Sequence, residues 1–368
     1  MDIEKIDCLV IGAGVIGLSI ARALALAGRE VIVVEQRDSI GLGTSSRNSE
    51  IIHAGIYYQT ASLKARFCVD GKNLLYQYCQ ANGIAYRRIE KLIVAHSSEQ
   101  ETVLEAYRQQ GLANGVKGLS MLGGAAVAAL EPALAVRAGL LSDSTGIVDS
   151  SGLMQQLQAD CEGAQGHIFF QSPVVDGEIH RGTARVALGG ISKMALDCNW
   201  VINAAGLESQ RIAACLGQPR QTIPKQYLAK GHYFSYGKKL PFNRLIYPVA
   251  DQGGLGIHLT FDMAGHARFG PDITWINKLD YSFDESRKNS FARSIRCYFP
   301  DLDMQFLQPA YTGIRPKLSG PNDDMKDFVI QGEAQHGFPG LINLFGIESP
   351  GLTAALAIGN YIKQIINH

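Results

Sequence analysis

Residues 6–11 (IDCLVI) form a short apolar run rich in β-branched side chains, the pattern of a strand buried in a parallel sheet. Gly12-Ala13-Gly14-Val15-Ile16-Gly17 follows at once. Next comes a helical stretch, LSIARALALAG, ending at Gly28, where a left-handed turn suits glycine. A second strand, VIVVE, ends at Glu35. Helical spacing recurs near 60–82 and 97–114, the latter opened by the capping sequence Ser97-Ser98-Glu99. Residues 167–204 break into several short strands, followed by a helix at 207–216. The block 220–315 is rich in aromatics and in alternation (HYFSY, LIYPV, GIHLTF, HARFG), which predicts an antiparallel sheet. A last strand, 341–346 (LINLFG), leads through Glu348-Ser349-Pro350-Gly351-Leu352-Thr353 into a closing helix. The turn-rich stretch Ser319-Gly320-Pro321-Asn322-Asp323-Asp324 reads as a surface loop.

The chain's 368 residues leave room for two or three domains. Its 46% hydrophobic and 18% charged residues place it among folded globular proteins. Lys+Arg and Asp+Glu are 34 each, so general affinity for nucleic acid is not expected. Glycine is frequent, 40 residues, which points to places where backbone must approach something closely. Seven scattered cysteines without a Cys-x-x-Cys pair read as a reduced protein with neither a disulfide framework nor a thiolate metal cage. The opening Met1-Asp2-Ile3-Glu4-Lys5 lacks the features of a signal peptide. The apolar stretch from Leu9 to Ala27 is broken by Gly12, Gly14, Gly17, Ser19 and Arg22, so no transmembrane segment is expected. These features suggest a cytoplasmic protein, with peripheral attachment at the inner face of the membrane left open. No His/Asp/Glu cluster has metal-ligand spacing.

The first strand–glycine–helix–strand unit has the logic of a dinucleotide site. Gly12 permits the turn, Gly14 lets backbone touch a pyrophosphate, and Gly17 lets the helix pack on the strand. The helix N-terminus offers unpaired N–H groups to phosphate, and Glu35 can accept ribose hydroxyls. This unit alone serves NAD or FAD. Three later features favour FAD. The loop from Gly41 to Ser49 is small and polar, suited to lying along a second stretch of cofactor. The strand Trp200-Val201-Ile202-Asn203-Ala204-Ala205-Gly206 ends in small residues ahead of a helix. The final helix start can face an anion such as the reduced flavin's N1–C2=O edge.

With the Gly313-Ile314-Arg315-Pro316 run, these stretches resemble the D-amino-acid oxidase/glycine oxidase superfamily of FAD enzymes, from residue 6 to the final helix. Within it, Arg47–Tyr58, Ser62-Leu63-Lys64-Ala65-Arg66, Tyr247-Pro248-Val249 and Gly254–Thr260 are similar to the L-2-hydroxyglutarate dehydrogenase/oxidase branch. That branch usually has histidine where Arg47 stands and glycine where Glu50 stands. It tends to place arginine before glycine where this chain has Lys230-Gly231.

The resemblance implies an α/β (α+β overall) fold: a Rossmann-like FAD-binding domain with a second, mostly antiparallel-sheet substrate domain. The FAD-binding domain is expected in three pieces, 1–80, 147–218 and 319–368, and the substrate domain in two, 81–146 and 219–318. FAD contacts are expected from Gly12, Gly14, Val15, Ile16, Gly17, Glu35 and Gln36; from Thr44, Ser45, Arg47, Asn48 and Ser49; from Val174, Ala205 and Gly206; and from Gly346, Ser349, Gly351, Leu352 and Thr353. The implied reaction is oxidation of a small 2-hydroxy acid, L-2-hydroxyglutarate-like, to the 2-oxo acid by hydride transfer to flavin N5. Arg315 is the carboxylate clamp, because its planar fork pairs two oxygens at once. His53 and His258 are the candidate bases, and His53 is alternatively a covalent tether for the flavin. Lys230 and Tyr247 are expected to contact a distal carboxylate and a hydroxyl. The electron acceptor is oxygen, a quinone or a carrier protein. An amino-acid or amine oxidase of the same superfamily, or a non-catalytic flavin-binding protein, are the alternatives.

Overall fold

The strand Ile3–Ile11 lies inside its sheet, as its apolar pattern predicts. It pairs in parallel with Val31–Val34 on one side and Met194–Asn203 on the other. The computed structural model describes residues 3–180, 182–191, 193–249 and 256–367. Met1 and Asp2 of the opening segment, and Gly254 and Leu255 of the Gly254–Thr260 stretch, lie outside the described residues. Beyond Val31–Val34 comes His167–Phe169, again parallel. Met194–Asn203 divides its other edge. Its first half pairs antiparallel with Thr183–Leu188, and its last three residues pair in parallel with Leu341–Phe345. The C-terminal strand thereby reaches the sheet interior next to the first unit.

Side chains alternate across the first strand. Cys8 and Val10 join one core with Leu18, Leu24, Phe67 and Ile358, whereas Leu9 and Ile11 face another with Val186, Val201 and Ile212. The first core is covered by the helices Val15–Ala25, Leu63–Ala81 and Gly351–Asn367. Close approach of the last helix to the other two depends on missing side chains. A Cβ on Gly359 would stand 2.5 Å from the Ser19 carbonyl oxygen, and one on Gly71 would meet the Thr353 carbonyl.

The second large sheet is built on the antiparallel pair Tyr227–Tyr236 and Leu307–Lys317. It is antiparallel except where Lys91–Ala95 runs parallel to Leu245–Pro248. A small sheet of Ile51–Ile52, Tyr86–Arg87 and Gly146–Val148 completes the strands among the described residues. The predicted helices near 60–82 and 97–114 are Leu63–Ala81 and Ser98–Ala113, and Ser97 caps the second by accepting from Gln100 N–H at 3.3 Å. The predicted loop at 319–324 is exposed from Pro321 onward, but Ser319 and Gly320 are buried. All seven cysteines are free, and Cys8, Cys68, Cys79, Cys161 and Cys198 are buried. Among the described residues no helix is long and apolar enough to cross a membrane.

Gly359→Ala should lower stability by about 1–3 kcal/mol through overpacking against backbone. This outweighs the roughly 1 kcal/mol of helix propensity gained. The thermal unfolding midpoint checks this, and an unchanged or higher midpoint would refute close packing there.

Candidate active site

One cavity of about 650 Å³ runs from the first glycine turn to the start of the last helix. At one end, Gly12 adopts φ +104°, and a Cβ there would lie 2.9 Å from the Ala204 carbonyl oxygen. Gly17 packs against Gly12 and does not line the cavity, so it serves the turn rather than a ligand. The helix Val15–Ala25 begins after Gly14 with no side-chain cap and no acidic residue in its first turn. Val15 N–H donates to Ser45 Oγ (3.0 Å), which ties the turn to the 41–49 loop. The Glu35 carboxylate accepts from Ala13 N–H and Arg37 N–H, both at 2.9 Å. These features fit a dinucleotide: a close-packed glycine turn, an open helix N-terminus and a carboxylate at the strand end. Gly14, Val15, Ile16, Gln36, Val174, Ala205 and Gly206 all line this part.

The loop holding Thr44, Ser45, Arg47, Asn48 and Ser49 lies along the cavity and is fastened to the second sheet. Arg47 donates to the Thr312 carbonyl (3.1 Å) and sits 4.5 Å over the Tyr281 ring. Ser49 Oγ and Tyr233 OH are 3.0 Å apart, and Tyr311 OH donates to the Asn48 carbonyl (2.7 Å). Glu50 adopts φ +58°, a left-handed conformation that favours glycine. Its carboxylate accepts from Ser150 Oγ (2.8 Å) and from Arg268 (3.3 Å). Two added contacts thus accompany the glutamate in place of a residue with no Cβ.

At the other end the structure brings His53, His258, Tyr247 and Arg315 to one cavity wall. His53 is fixed by its own N–H, which donates to Thr353 Oγ1 (3.0 Å), and its Nε2 lies 3.2 Å from Ser349 Oγ. Burial, assisted by the charge of Lys91, pushes the His53 imidazole down to about 3. The His258 ring stacks on Tyr247 with centroids 3.6 Å apart. Burial, then the charges of Lys91, His53 and Arg315, hold His258 well below the usual histidine range. At both positions burial disfavours the imidazolium form. Arg315 Nη2 donates to the Asp272 carbonyl at 3.4 Å, and Asp272 is itself held by His232 and Arg287.

Besides Gly17, three expected contacts fall elsewhere. Lys230 is buried but off the cavity wall, because its ammonium is committed to Asp280 (2.9 Å) and Ser282 (3.2 Å). Thr353 is fully buried and holds His53 and the Ile51 carbonyl rather than lining the cavity. Gly346 packs against Leu318. Ser349, Gly351 and Leu352 do line the cavity.

Some features escaped the sequence reading. Glu348 is clasped between Lys64 (3.1 Å) and Lys317 (2.8 Å) at the cavity wall. Burial alone would raise its carboxyl, but the two ammonium groups reverse this and hold it below the usual range. Lys64 and Glu348 are 284 residues apart, so no local pattern announces the contact. Tyr57 and Tyr107 complete the pocket, edge to face at 5.1 Å.

Residues 7–365 match the family described as FAD dependent oxidoreductase. The chain is 41% identical to the mitochondrial L-2-hydroxyglutarate dehydrogenase of Arabidopsis thaliana over 98% of this chain and 83% of that protein. It is 32% identical to the human mitochondrial L-2-hydroxyglutarate dehydrogenase over 98% and 88%, respectively. Among solved structures, L-α-glycerophosphate oxidase from Mycoplasma pneumoniae, dithionite-reduced with FAD bound, superposes with a TM-score of 0.89 at 25% identity. That match covers 100% of this chain and 96% of the oxidase. Glycine oxidase from Geobacillus kaustophilus shares the fold, with a TM-score of 0.83 at 17% identity over 99% of this chain and 95% of that one.

Glu35→Ala should weaken FAD retention by about 1.5–3 kcal/mol, roughly 10–150-fold, measured by flavin dissociation. Retention at the wild-type level would remove Glu35 from the site. Trichloroacetic acid should leave the flavin in the supernatant; a coloured pellet would instead indicate a covalent tether, with His53 tested first.

Proposed function

The chain belongs to the FAD-dependent oxidoreductase family, and from that membership we propose that it oxidises a small 2-hydroxy acid to the 2-oxo acid. L-2-hydroxyglutarate is the leading candidate, supported by the relatives that share up to 41% identity along nearly the whole chain. The observation that carries the reading is the convergence of Arg315 with His53 and His258 on one cavity. Bound FAD supplies the acceptor for the two electrons and the α-hydrogen.

The protein's own groups would do the rest. Arg315 binds the 1-carboxylate through two parallel N–H donors and so fixes which face of the α-carbon is presented. His53 or His258 accepts the hydroxyl proton as the α-hydrogen departs with its electron pair, leaving a carbonyl. Tyr247 contributes a hydroxyl at the same wall, and its ring keeps His258 oriented. The open end of Gly351–Asn367 faces the cavity through Gly351 and Leu352 and favours negative charge there. Because Lys230 is already paired, a second carboxylate needs another counter-charge.

The same reading assigns a discontinuous FAD-binding domain to 1–80, 147–218 and 319–368, and a substrate domain to 81–146 and 219–318. Membership of the two large sheets supports that division. Electrons then pass to oxygen, a quinone or a carrier protein. Cytoplasmic placement is supported by the unpaired cysteines.

Anaerobic mixing with L- and D-2-hydroxy acids and with amino acids tests the proposal through loss of the flavin absorbance. L-2-hydroxyglutarate should reduce the flavin fastest. Preferential reduction by glycine or a D-amino acid would move the protein to the amine-oxidising branch. Reduction by none would leave a non-catalytic flavin protein. Arg315→Lys keeps charge but loses the fork, and kcat/KM should fall roughly 10–150-fold. Alanine at the true base should depress kcat by about 10²–10⁴, and alanine at the other histidine by less. Reduction of Arg315→Lys at the wild-type rate with unchanged saturation would place the carboxylate site elsewhere.

A further inference from the structure

Lys91 is 1% exposed and lies in Lys91–Ala95, a strand buried at every position. Strand alternation puts it on the same side as Ile93, which lines the cavity. Among the described residues its ammonium has no hydrogen-bond or ion-pair partner. It rests instead 4.7 Å from the ring centres of both Tyr57 and Tyr247. The His258 imidazole covers one face of Tyr247 at 3.6 Å, with only 9° between the planes. The ammonium over the same ring is thus left the opposite face. Ammonium, phenol and imidazole form one stack from the core to the cavity wall.

A buried amine without a carboxylate partner is a costly choice for filling space, since an aliphatic side chain would fill it without desolvating a charge. What the amine adds is a positive field directed through two rings into the pocket. Resting on the function proposed above, we infer that Lys91 is the charge-setting positioning residue of this pocket. Its ammonium supplies counter-charge for the bound carboxylate from behind Tyr57 and Tyr247.

The surrounding groups make this testable by pH. Burial brings Lys91 down to about 7. Its neighbours are pushed away from neutrality: His53 and His258 downward, Tyr57 and Tyr247 upward, and Cys68 up to about 12. Arg315 is the other cation acting on His258. A fall in carboxylate affinity as pH rises through neutrality therefore reports Lys91 losing its proton. A bound anion favours the protonated amine, so saturation should move that fall to higher pH.

Calorimetric titration of the FAD-loaded protein with oxalate, from pH 6 to 9, reads this directly. Wild-type affinity should drop about tenfold across the range, the equivalent of one pKa unit. Lys91→Met keeps the apolar stem and should bind weakly at every pH, without the drop. Lys91→Arg, permanently charged, should bind tightly at every pH. A wild-type slope retained in Lys91→Met, or flat wild-type affinity, would overturn the inference. Oxalate is not oxidised as a 2-hydroxy acid, so these outcomes are separate from the substrate screen. Failure of 2-hydroxy acids to reduce the wild-type flavin would strike the proposed function alone.

Discussion

The hydroxyl of Thr353 donates to the Ile51 carbonyl at 3.1 Å and accepts from the His53 N–H at 3.0 Å, entirely out of water. It joins residues about 300 positions apart, and the geometry of the cavity wall at His53 hangs on that junction. The final helix is anchored where Gly71 and Gly359 let three helices approach. Its first turn can then hold His53 on one side while Ser349 faces the same imidazole from the other. Loss of that helix's seating would release the histidine and the cavity wall together. Both bonds also satisfy groups that would be expensive to leave unpaired so deep in the protein.

Much of the architecture was legible because its signals are local. The first strand, its glycine turn, the following helix and Glu35 are contiguous, and each residue's role follows from geometry within one unit. Ser97 announced its helix for the same reason. The second sheet was readable as a sheet but not as to which side chains face the ligand. Seven of the ten residues of Tyr227–Tyr236 are buried, six of them in one unbroken run, so alternation carries little information about sidedness. Lys230 was therefore assigned to the substrate, whereas its strand places it against Asp280, 50 residues on. The Lys64–Glu348–Lys317 cluster was invisible for the complementary reason: it is assembled across domains' worth of sequence.

Charge is distributed unevenly along the cavity. Glu50 and Arg47, two of the three positions that depart from the related branch, are both anchored to the second sheet, through Arg268 and Thr312. The opposite end of the cavity, at His53, His258 and Arg315, instead carries cations and aromatic rings. Its acidic member, Glu348, is overmatched by two lysines.

The cysteines carry a practical consequence. Five thiols are sealed in the cores, and burial raises their pKa, to about 12 for Cys8, Cys68, Cys79 and Cys198 and about 11 for Cys161. Thiolate is the form that peroxide attacks. Here the sulfur is mostly out of reach, while Cys297 stands exposed on the surface. Burial gives each of these thiols the behaviour of a tamper seal, reacting with an alkylating probe only after the surrounding core has opened.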